Sequence, residues 1–286
     1  MRLTARAPAT SANLGPGFDC FGLALDLCDE FTLDTNLEPG VTWEGEGAGE
    51  LPTDGTDMVS RAFARAAETA GATLPGFALR GVNRIPLQRG LGSSSAACVA
   101  GIALASRILG LGLEADRMLV LASSLEGHGD NAAAAILGGL TLAFGDRDAV
   151  RLEPHPSLRP VALVPDGITV STSSARDALP SSTSLSDAAF NAGRSALALL
   201  ALTQRPELLA DALEDRLHQQ VRLGLAPDAD DLFRSLKTGG IPVCVSGSGP
   251  ALLAFETDDR PVPEPGEGWR ALHLPVRAHG IEVLEV

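Results

Sequence analysis

The sequence predicts an α+β protein that is divided into two domains. Its 286 residues exceed the length of most single domains, so two medium-sized units are the simplest expectation. Segments with helical spacing and segments that alternate between apolar and polar residues are interspersed along the chain. Residues 151–160 carry three prolines, which is typical of a linker. We therefore expect one domain over residues 1–156 and another over residues 157–286.

The first strands and the first helix are predicted from local patterns. Residues 3–9 and 77–86 alternate weakly, and residues 24–36 contain another extended segment. Residues 58–71 place apolar side chains at helical spacing, with Asp57 as a candidate N-cap. These signals predict the order strand, strand, helix, strand.

The centre of the chain is apolar and rich in alanine. Residues 96–109 and 114–127 are predicted to form two largely buried helices. Residues 131–144 begin with helical spacing, break at a glycine pair and continue as a strand. Three helices and a strand are therefore expected before the linker.

The second half repeats the mixture of strand and helix signals. A strand is predicted at residues 161–165 and a helix at residues 186–203. Residues 241–255 contain another strand segment, and a closing pair of strands is expected between Trp269 and Val286. This half also predicts an α+β unit.

Composition narrows the class of protein. Hydrophobic residues make up 45% of the chain and charged residues 20%, which is typical of a globular protein with a sizeable core. No apolar run is long enough to cross a bilayer, and the start of the chain lacks the features of a secretory signal. A cytoplasmic protein with no membrane partner is expected.

The charge balance argues against nucleic-acid binding. The formal net charge is -14 and no basic run is present, whereas phosphate backbones attract clusters of Lys and Arg. Lys237 is the only lysine, which nearly excludes a mechanism based on an active-site lysine. Arginine supplies the other cationic groups and suits bidentate binding of carboxylate and phosphate.

The four cysteines do not suggest a metal site or a disulfide framework. Cys20, Cys28, Cys98 and Cys244 are scattered and form no CxxC pair. We interpret them as small apolar filling residues.

The segment RGLGSSSAACVAG, residues 89–101, predicts an anion-binding loop. A strand, a Gly/Ser loop and a helix direct backbone N–H groups and the helix dipole at one anion. Serine hydroxyls can also donate to phosphate or ligate Mg²⁺. The segment lacks the GK[ST] ending of a Walker A loop and does not fit a GxGxxG fingerprint. The alternative is a buried helix N-terminus capped by serine.

Four ordered segments together resemble the homoserine kinase family of the GHMP superfamily of small-molecule kinases. They are PATSANLGPGFDCFGLAL at residues 8–25, PLQRGLGSSSAA at 86–97, EGHGDNAAAAILGG at 126–139 and VSGSGPALLAF at 245–255. The first segment is the most discriminating, since superfamily relatives share mainly the Gly/Ser loop.

The resemblance implies a fold and an activity. The expected amino-terminal domain is of the ribosomal S5 type, the carboxy-terminal domain is ferredoxin-like, and a cleft lies between them. The implied reaction transfers the γ-phosphate of ATP, with Mg²⁺, to the side-chain hydroxyl of L-homoserine on the route to threonine. A homodimer is a further expectation from the family.

The resemblance also implies which residues bind the nucleotide. Ser94 would give a hydroxyl to Mg²⁺ and Glu126 would be a second metal ligand, although Glu126 also fits an exposed carboxylate in the last turn of a helix. The residues expected to surround the ATP phosphates are Pro86, Leu87, Gln88, Arg89, Gly90, Leu91, Gly92, Ser93, Ser94, Ser95 and Ala96.

Catalytic roles are implied for three residues. Asp130 matches a catalytic aspartate of related kinases and would accept the proton of the substrate hydroxyl, with Asn131 beside it. Both residues also stand at a predicted helix start, where Asp and Asn are common N-caps. Thr172 would lie near the reacting end of the substrate.

The remaining candidates would bind the amino-acid head group. STSSARDALP, residues 171–180, and LHQQVR, residues 217–222, resemble family elements that place Arg176 and Arg222 on the substrate carboxylate. By the same resemblance, the residues that contact the amine and the hydroxyl would be Asn13, Asp19 and His128.

The sequence departs from the family pattern in places, and rival functions are considered beside the implied one. Asp57 stands where the family usually has an asparagine that seats adenine, and Gly129 stands where proline is common. The rival functions are another GHMP kinase, acting on a mevalonate-like, sugar or other amino-alcohol substrate, and a nucleotide-binding regulator without turnover. A sugar substrate would not need the two arginines at a carboxylate.

Overall fold

The computed structural model describes residues 1–145, 148–257 and 259–285 and contains two β-sheets. Its strands are β1 (Arg2–Ala12), β2 (Phe21–Asp34), β3 (Gly40–Gly45), β4 (Ala78–Asn83), β5 (Leu140–Phe144), β6 (Asp148–Leu152), β7 (Arg159–Pro165), β8 (Val243–Val245), β9 (Leu252–Glu256), β10 (Trp269–His273) and β11 (Glu282–Glu285). The α-helices are α1 (Met58–Thr69), α2 (Ser93–Ile108), α3 (Ala115–Glu126), α4 (Asp130–Leu137), α5 (Thr172–Asp177), α6 (Leu185–Thr203), α7 (Leu209–Ala212), α8 (Gln219–Gly224) and α9 (Pro227–Thr238).

The larger sheet is organised around β2. Strands β11, β1, β2, β4 and β3 are neighbours in that order, and β5 pairs with both β2 and β6. The 14 residues of β2 allow this branching, because Phe21–Leu23 pair with β5 and Glu30–Asp34 pair with β4. The β1–β2 ladder shifts register between Pro8 and Ala9, since proline has no N–H to donate.

Helix α2 packs in the centre of the first half. Nearly all its residues from Ser95 to Ser106 are buried, and most are alanine or branched apolar residues. A Cβ atom on Gly101 would lie 2.3 Å from the carbonyl oxygen of Val59 on α1. The absence of a side chain there lets the two helices approach closely. Helix α2 is thereby packed closely against α1.

The smaller sheet is antiparallel, with strand order β10, β7, β9, β8. Both predicted closing strands are present, as β10 and β11, but they are not paired as neighbours: β10 pairs with β7, whereas β11 pairs with β1 in the larger sheet. Val286 lies outside the described residues. The division after residue 156 stays a prediction, and the last strand returns to the amino-terminal sheet.

Several other element predictions can be compared directly with the structure. Helix α1 is confirmed, and Asp57 caps it by accepting the Ser60 N–H at 2.9 Å. Helix α2 begins at Ser93, three residues before the predicted start. Strands β3 and β6 were missed, and β6 extends into the expected linker. Over the described ranges, no helix combines the length and apolar character needed to cross a bilayer.

Candidate active site

A cavity of about 590 Å³ contains most of the predicted site residues. It lies where the start of α2, the end of α3, α5, α8 and the turn before β9 meet. The predicted residues that line it are Asn13, Asp19, Gln88, Gly90, Gly92, Ser93, Ser94, Ser95, Glu126, His128, Asp130, Asn131, Thr172, Arg176 and Arg222.

Two glycines shape the loop before α2. Gly90 has φ +78°, and a Cβ there would lie 2.1 Å from the Ser246 carbonyl oxygen. Gly92 has φ +70°, and its Cβ would lie 2.0 Å from Thr10 Oγ1. A left-handed backbone favours glycine, and the close contacts require the absence of a side chain. The loop is therefore held tightly against β1 and the turn before β9.

The serines form the first turn of α2. Gly92 is the N-cap residue and makes no side-chain cap bond, so the alternative of a serine cap is wrong. The first intrahelical bond runs from the Ala96 N–H to the Gly92 carbonyl. The N–H groups of Ser93–Ser95 therefore lack intrahelical acceptors. They and the helix dipole favour an anion in the cavity.

The rest of the predicted loop supports this turn without lining the cavity. Pro86, Leu91 and Ala96 are buried in the protein interior. Arg89 faces the other way, and its Nε donates to the Pro165 carbonyl at 2.7 Å. Leu87 lines a smaller neighbouring cavity instead.

Glu126, the last residue of α3, faces the serine turn. Ser95 Oγ donates to Glu126 Oε2 in a short hydrogen bond. Burial raises the pKa of Glu126, opposed by the hydroxyl of Ser95 and by His128. Within the described ranges, no cluster of three or more His, Cys, Asp or Glu residues forms a protein-only metal site.

Asp130 lies at the start of α4 and lines the cavity. It is the first residue of the helix and is 2% exposed, and the preceding Gly129 is the N-cap residue. The Asn131 N–H donates to Asp130 Oδ1 at 2.8 Å, and His128 Nδ1 lies 2.9 Å from the same oxygen. The hydrogen bond to Asp130 raises the pKa of His128. Asn131 Oδ1 accepts from Thr10 Oγ1 at 2.7 Å, which fixes its side chain.

Arg176 and Asp19 form a bidentate ion pair on the wall of the cavity. The distances are 3.0 Å from Arg176 Nη1 to Asp19 Oδ2 and 2.8 Å from Nη2 to Oδ1. Asp19 has φ +56°, and its N–H donates to Asn13 Oδ1 at 3.0 Å. Thr172, the exposed first residue of α5, lies on the same wall.

Arg222 is the buried cation of the site. It is 6% exposed, and its Nη1 donates to the carbonyl oxygen of Gly247. Its Nε is buried without a partner, and burial lowers its pKa. Asn13 Nδ2 donates to the same Gly247 carbonyl at 3.1 Å. The Phe18 ring lies 5.4 Å from the Arg222 guanidinium carbon and 5.7 Å from that of Arg176.

Other residues of the LHQQVR segment, residues 217–222, position Arg222. His218 Nε2 lies 2.8 Å from the Gly15 carbonyl oxygen, and burial lowers the pKa of His218 to about 4. Gln219 Oε1 accepts the Val245 N–H at 2.8 Å. These contacts fix α8 against β8 and the amino-terminal loop.

Sequence reasoning missed several residues that line the cavity. Arg61 lies on α1, and its only sequence signal is its place one turn after the N-cap Asp57. The other missed residues that face this cavity include Ser171, Ser173 and Ser248. A second cavity of about 200 Å³ adjoins the first at Gln88 and Ser93, with Trp43 and Leu51 in its largely apolar lining.

Comparison with known proteins assigns the chain to a family. Its sequence matches the family model described as GHMP kinases N terminal domain over residues 57–139. A homoserine kinase from Streptomyces avermitilis is 45% identical, over 98% of this chain and 94% of its own length. The chain belongs to the homoserine kinase family. A second family member, from Leifsonia xyli subsp. xyli, is 46% identical over 94% of this chain and 83% of its own length.

The fold is also that of the homoserine kinase family. The crystal structure of homoserine kinase from Cytophaga hutchinsonii matches with a TM-score of 0.83 and 28% sequence identity. The match covers 99% of this chain and 97% of that one. The expected α+β fold and the resemblance to homoserine kinases are thereby confirmed.

Proposed function

We propose that this protein is a kinase that transfers the γ-phosphoryl group of ATP to the side-chain hydroxyl of L-homoserine, giving O-phospho-L-homoserine. One observation carries the proposal. A single cavity holds both the N–H groups at the start of α2 and the charged set Asp19, Arg176 and Arg222. The first group suits phosphate and the second suits an amino-acid head group.

The phosphates would bind at the first turn of α2. The N–H groups of Ser93–Ser95 point to an anion, and Arg61 adds a positive charge from α1. Phosphoryl transfer depends mainly on positioning and on neutralising charge on the phosphate oxygens. The rigid contacts of Gly90 and Gly92 with their neighbours supply that positioning.

Mg²⁺ fits the donor groups at this turn. Ser94 and Ser95 present hydroxyls and Glu126 presents a carboxylate, which are the hard oxygen donors that Mg²⁺ prefers. Phosphate oxygens and water would complete the coordination. When bound, Mg²⁺ neutralises charge that develops on the transferred group.

The base of the nucleotide would occupy the smaller apolar cavity. Asn83 lines it, and its Oδ1 is buried without a hydrogen-bond partner. Its Nδ2 donates to the Glu46 carbonyl at 3.2 Å, which fixes the amide plane. An orphaned acceptor is costly, and the exocyclic amine of adenine would satisfy it. Asp57 also lines this cavity while capping α1.

Asp130 is the candidate acceptor for the substrate proton. Its Oδ1 is occupied by the Asn131 N–H and by His128, while among the described residues no hydrogen bond reaches Oδ2. The carboxylate is therefore held in one orientation beside the cavity. General-base assistance of this kind typically contributes about 100-fold or more to the rate.

Release of ADP from a panel of substrates tests the proposal. Purified protein with ATP and MgCl₂ would be given homoserine, serine, mevalonate or galactose. We expect homoserine to give by far the fastest ADP release. No release with homoserine, or faster release with mevalonate or galactose, would overturn the assignment.

Matched glutamate variants control this experiment. Glu126→Gln removes the carboxylate charge at the serine turn and should abolish most of the turnover. Glu153→Gln removes an exposed charge paired with Arg151 and should leave turnover unchanged. The same preparation would test the expected homodimer by size-exclusion chromatography. Cell fractionation would test the expected cytoplasmic location.

A further inference from the structure

The strongest unexplained feature of the cavity is the ion pair between Arg176 and Asp19. Both side chains are partly exposed, at 42% and 36%. Such a pair is worth little to stability in water. Yet its fork-to-fork geometry is nearly ideal, with both distances at or below 3.0 Å. The pair therefore has good hydrogen-bond geometry, yet breaking it costs the protein little stability.

The surrounding groups make this wall of the cavity complementary to a zwitterion. The Arg222 guanidinium carbon lies 5.4 Å from the centre of the Phe18 ring, and Phe18 is the residue before Asp19. Among the described residues, no carboxylate lies within ion-pair distance of Arg222. An α-amino acid carries its carboxylate and ammonium on one carbon, so one head group presents both charges at short spacing. Arginine forks bind carboxylates bidentately.

The segment that carries Arg176 is loosely attached to the protein. Between Asp166 and Leu185 only Ala175 is buried. Helix α5 has six residues, too few to be stable without tertiary contacts. The backbone of this segment is joined to the loop before α2 by a long hydrogen bond, in which the Val170 N–H donates to the Gln88 carbonyl at 3.2 Å. Arg176 can therefore leave Asp19 at small cost to the fold.

We propose that the Arg176–Asp19 ion pair occupies the head-group site of the free enzyme and is exchanged for the zwitterion of the substrate. This inference rests on the proposed function. The substrate carboxylate replaces Asp19 on Arg176, and the substrate ammonium replaces Arg176 on Asp19. Both protein charges stay paired only if the ligand brings both charges. The ion pair therefore makes the enzyme select against ligands with a single charge.

The exchange predicts a gain of binding in two variants. 4-Hydroxybutyrate is homoserine without its ammonium group, and 3-aminopropan-1-ol is homoserine without its carboxylate. In the native protein each must break the ion pair and leave one partner unpaired. Asp19→Asn frees Arg176 and should strengthen binding of 4-hydroxybutyrate about fivefold while weakening that of homoserine. Arg176→Gln should strengthen binding of 3-aminopropan-1-ol by a similar factor.

Isothermal titration calorimetry with the three ligands measures these changes. Glu44→Gln is the matched control, because it breaks another bidentate arginine pair, with Arg80, at a comparably exposed site away from the cavity. It should change none of the affinities. Unchanged or weaker binding of 4-hydroxybutyrate to Asp19→Asn, and of 3-aminopropan-1-ol to Arg176→Gln, would overturn the exchange.

The two proposals fail in different ways. If the native protein does not phosphorylate homoserine, the proposed function is wrong. If it does, and neither variant gains affinity for its single-charge ligand, then the ion pair is only a fixed part of the wall. Asp19→Asn and Arg176→Gln change opposite partners of the ion pair. If one variant does not fold, the other still tests the exchange by itself.

Discussion

Gly90 and Gly92 show how single residues determine the anion site. Each combines a positive φ with backbone or hydroxyl groups at the place where a Cβ would stand. The sequence predicted the loop because glycine and serine cluster there, but the reason for each glycine is tertiary. The groups that exclude a Cβ come from β1 and from the turn before β9, which are distant in sequence.

Gly90→Ala should therefore destabilise the protein and weaken ATP binding. The left-handed φ alone costs an alanine about 1 kcal/mol, and the contact with the Ser246 carbonyl should add about 1–3 kcal/mol. Gly110→Ala is the matched control, since Gly110 has φ +64° but nothing within 4 Å of the Cβ position. Urea unfolding and the KM for ATP measure both effects. Equal losses of stability in the two variants would contradict the tight contact.

Asp29 is a buried carboxyl whose charge opposes folding. Burial raises the pKa of Asp29 from an ordinary value of 3.8 to about 6, although the N–H groups of Arg84 and Ile85 donate to its Oδ1. The folded protein thus holds the proton more tightly than the unfolded chain does. The stability that this proton contributes is present below pH 3.8 and is lost as the pH rises through about 6.

Asp29→Asn should remove this pH dependence. An asparagine keeps an Oδ1 acceptor for both N–H groups and does not titrate in this range. The free energy of unfolding of the variant minus that of the native protein should therefore increase between pH 4 and pH 7.5, by about 1–3 kcal/mol. Urea unfolding at several pH values measures the difference, in which other titrating groups cancel. A difference that is constant with pH would contradict the raised pKa.

At the scale of elements, helix starts position the chemistry. Helix α2 presents its N–H groups to the cavity, α4 presents Asp130, and α1 carries Arg61 one turn after its cap. The sequence located α1 well because Asp57 is a strong capping signal. It placed the start of α2 too late, because a Gly/Ser run looks like a loop when tertiary contacts are not known.

The capping role of Asp57 in α1 can be tested separately from its place in the smaller apolar cavity. Asp57 accepts the Ser60 N–H through Oδ1 at 2.9 Å and the Ser60 hydroxyl through Oδ2 at 2.7 Å. Asp57→Ala should cost about 1–2 kcal/mol of unfolding free energy. Asp57→Asn keeps the bond to the backbone and should cost much less. Thermal or urea unfolding of both variants measures this, and similar losses would show that the cap bond is not the main contribution.

The limits of sequence prediction are visible in the strands. β3 is a short edge strand with mostly exposed side chains, so it lacks the apolar alternation that marks a buried strand. β11 was expected near the end of the chain, but its partner β1 could not be inferred, because sheet pairing over the whole chain length leaves no local signal. The motifs predicted most of the residues that line the main cavity, whereas the Arg176–Asp19 pair required the structure.

At the scale of the whole molecule, the two halves share one core. The main hydrophobic cluster includes β1 and α2 residues together with side chains from well beyond residue 156. Those later members include Leu202, Leu213, Leu253, Phe255 and Leu274. A smaller cluster lies within the carboxy-terminal half alone. The predicted domain boundary therefore cuts through buried apolar contacts.

A fragment of residues 1–156 should not fold cooperatively on its own. It would lack β11, which pairs with β1 over Leu3–Arg6, and it would expose apolar surface that the later residues cover. Burial of apolar surface contributes about 25 cal/mol per Å². The free energy lost with several buried leucine and phenylalanine side chains therefore exceeds the net stability of a typical domain. Circular dichroism during urea titration should show a gradual change for the fragment and a sigmoidal one for the full chain.

A second fragment separates the effect of the strand from that of the core. Joining residues 281–286 to residues 1–156 through a short glycine-rich linker restores a partner for β1 but not the later core residues. We expect this fragment also to lack a cooperative transition, because the missing side chains contribute more than one edge strand. A sigmoidal transition in either fragment, with a denaturant dependence appropriate to its size, would show that residues 1–156 contain an independent core.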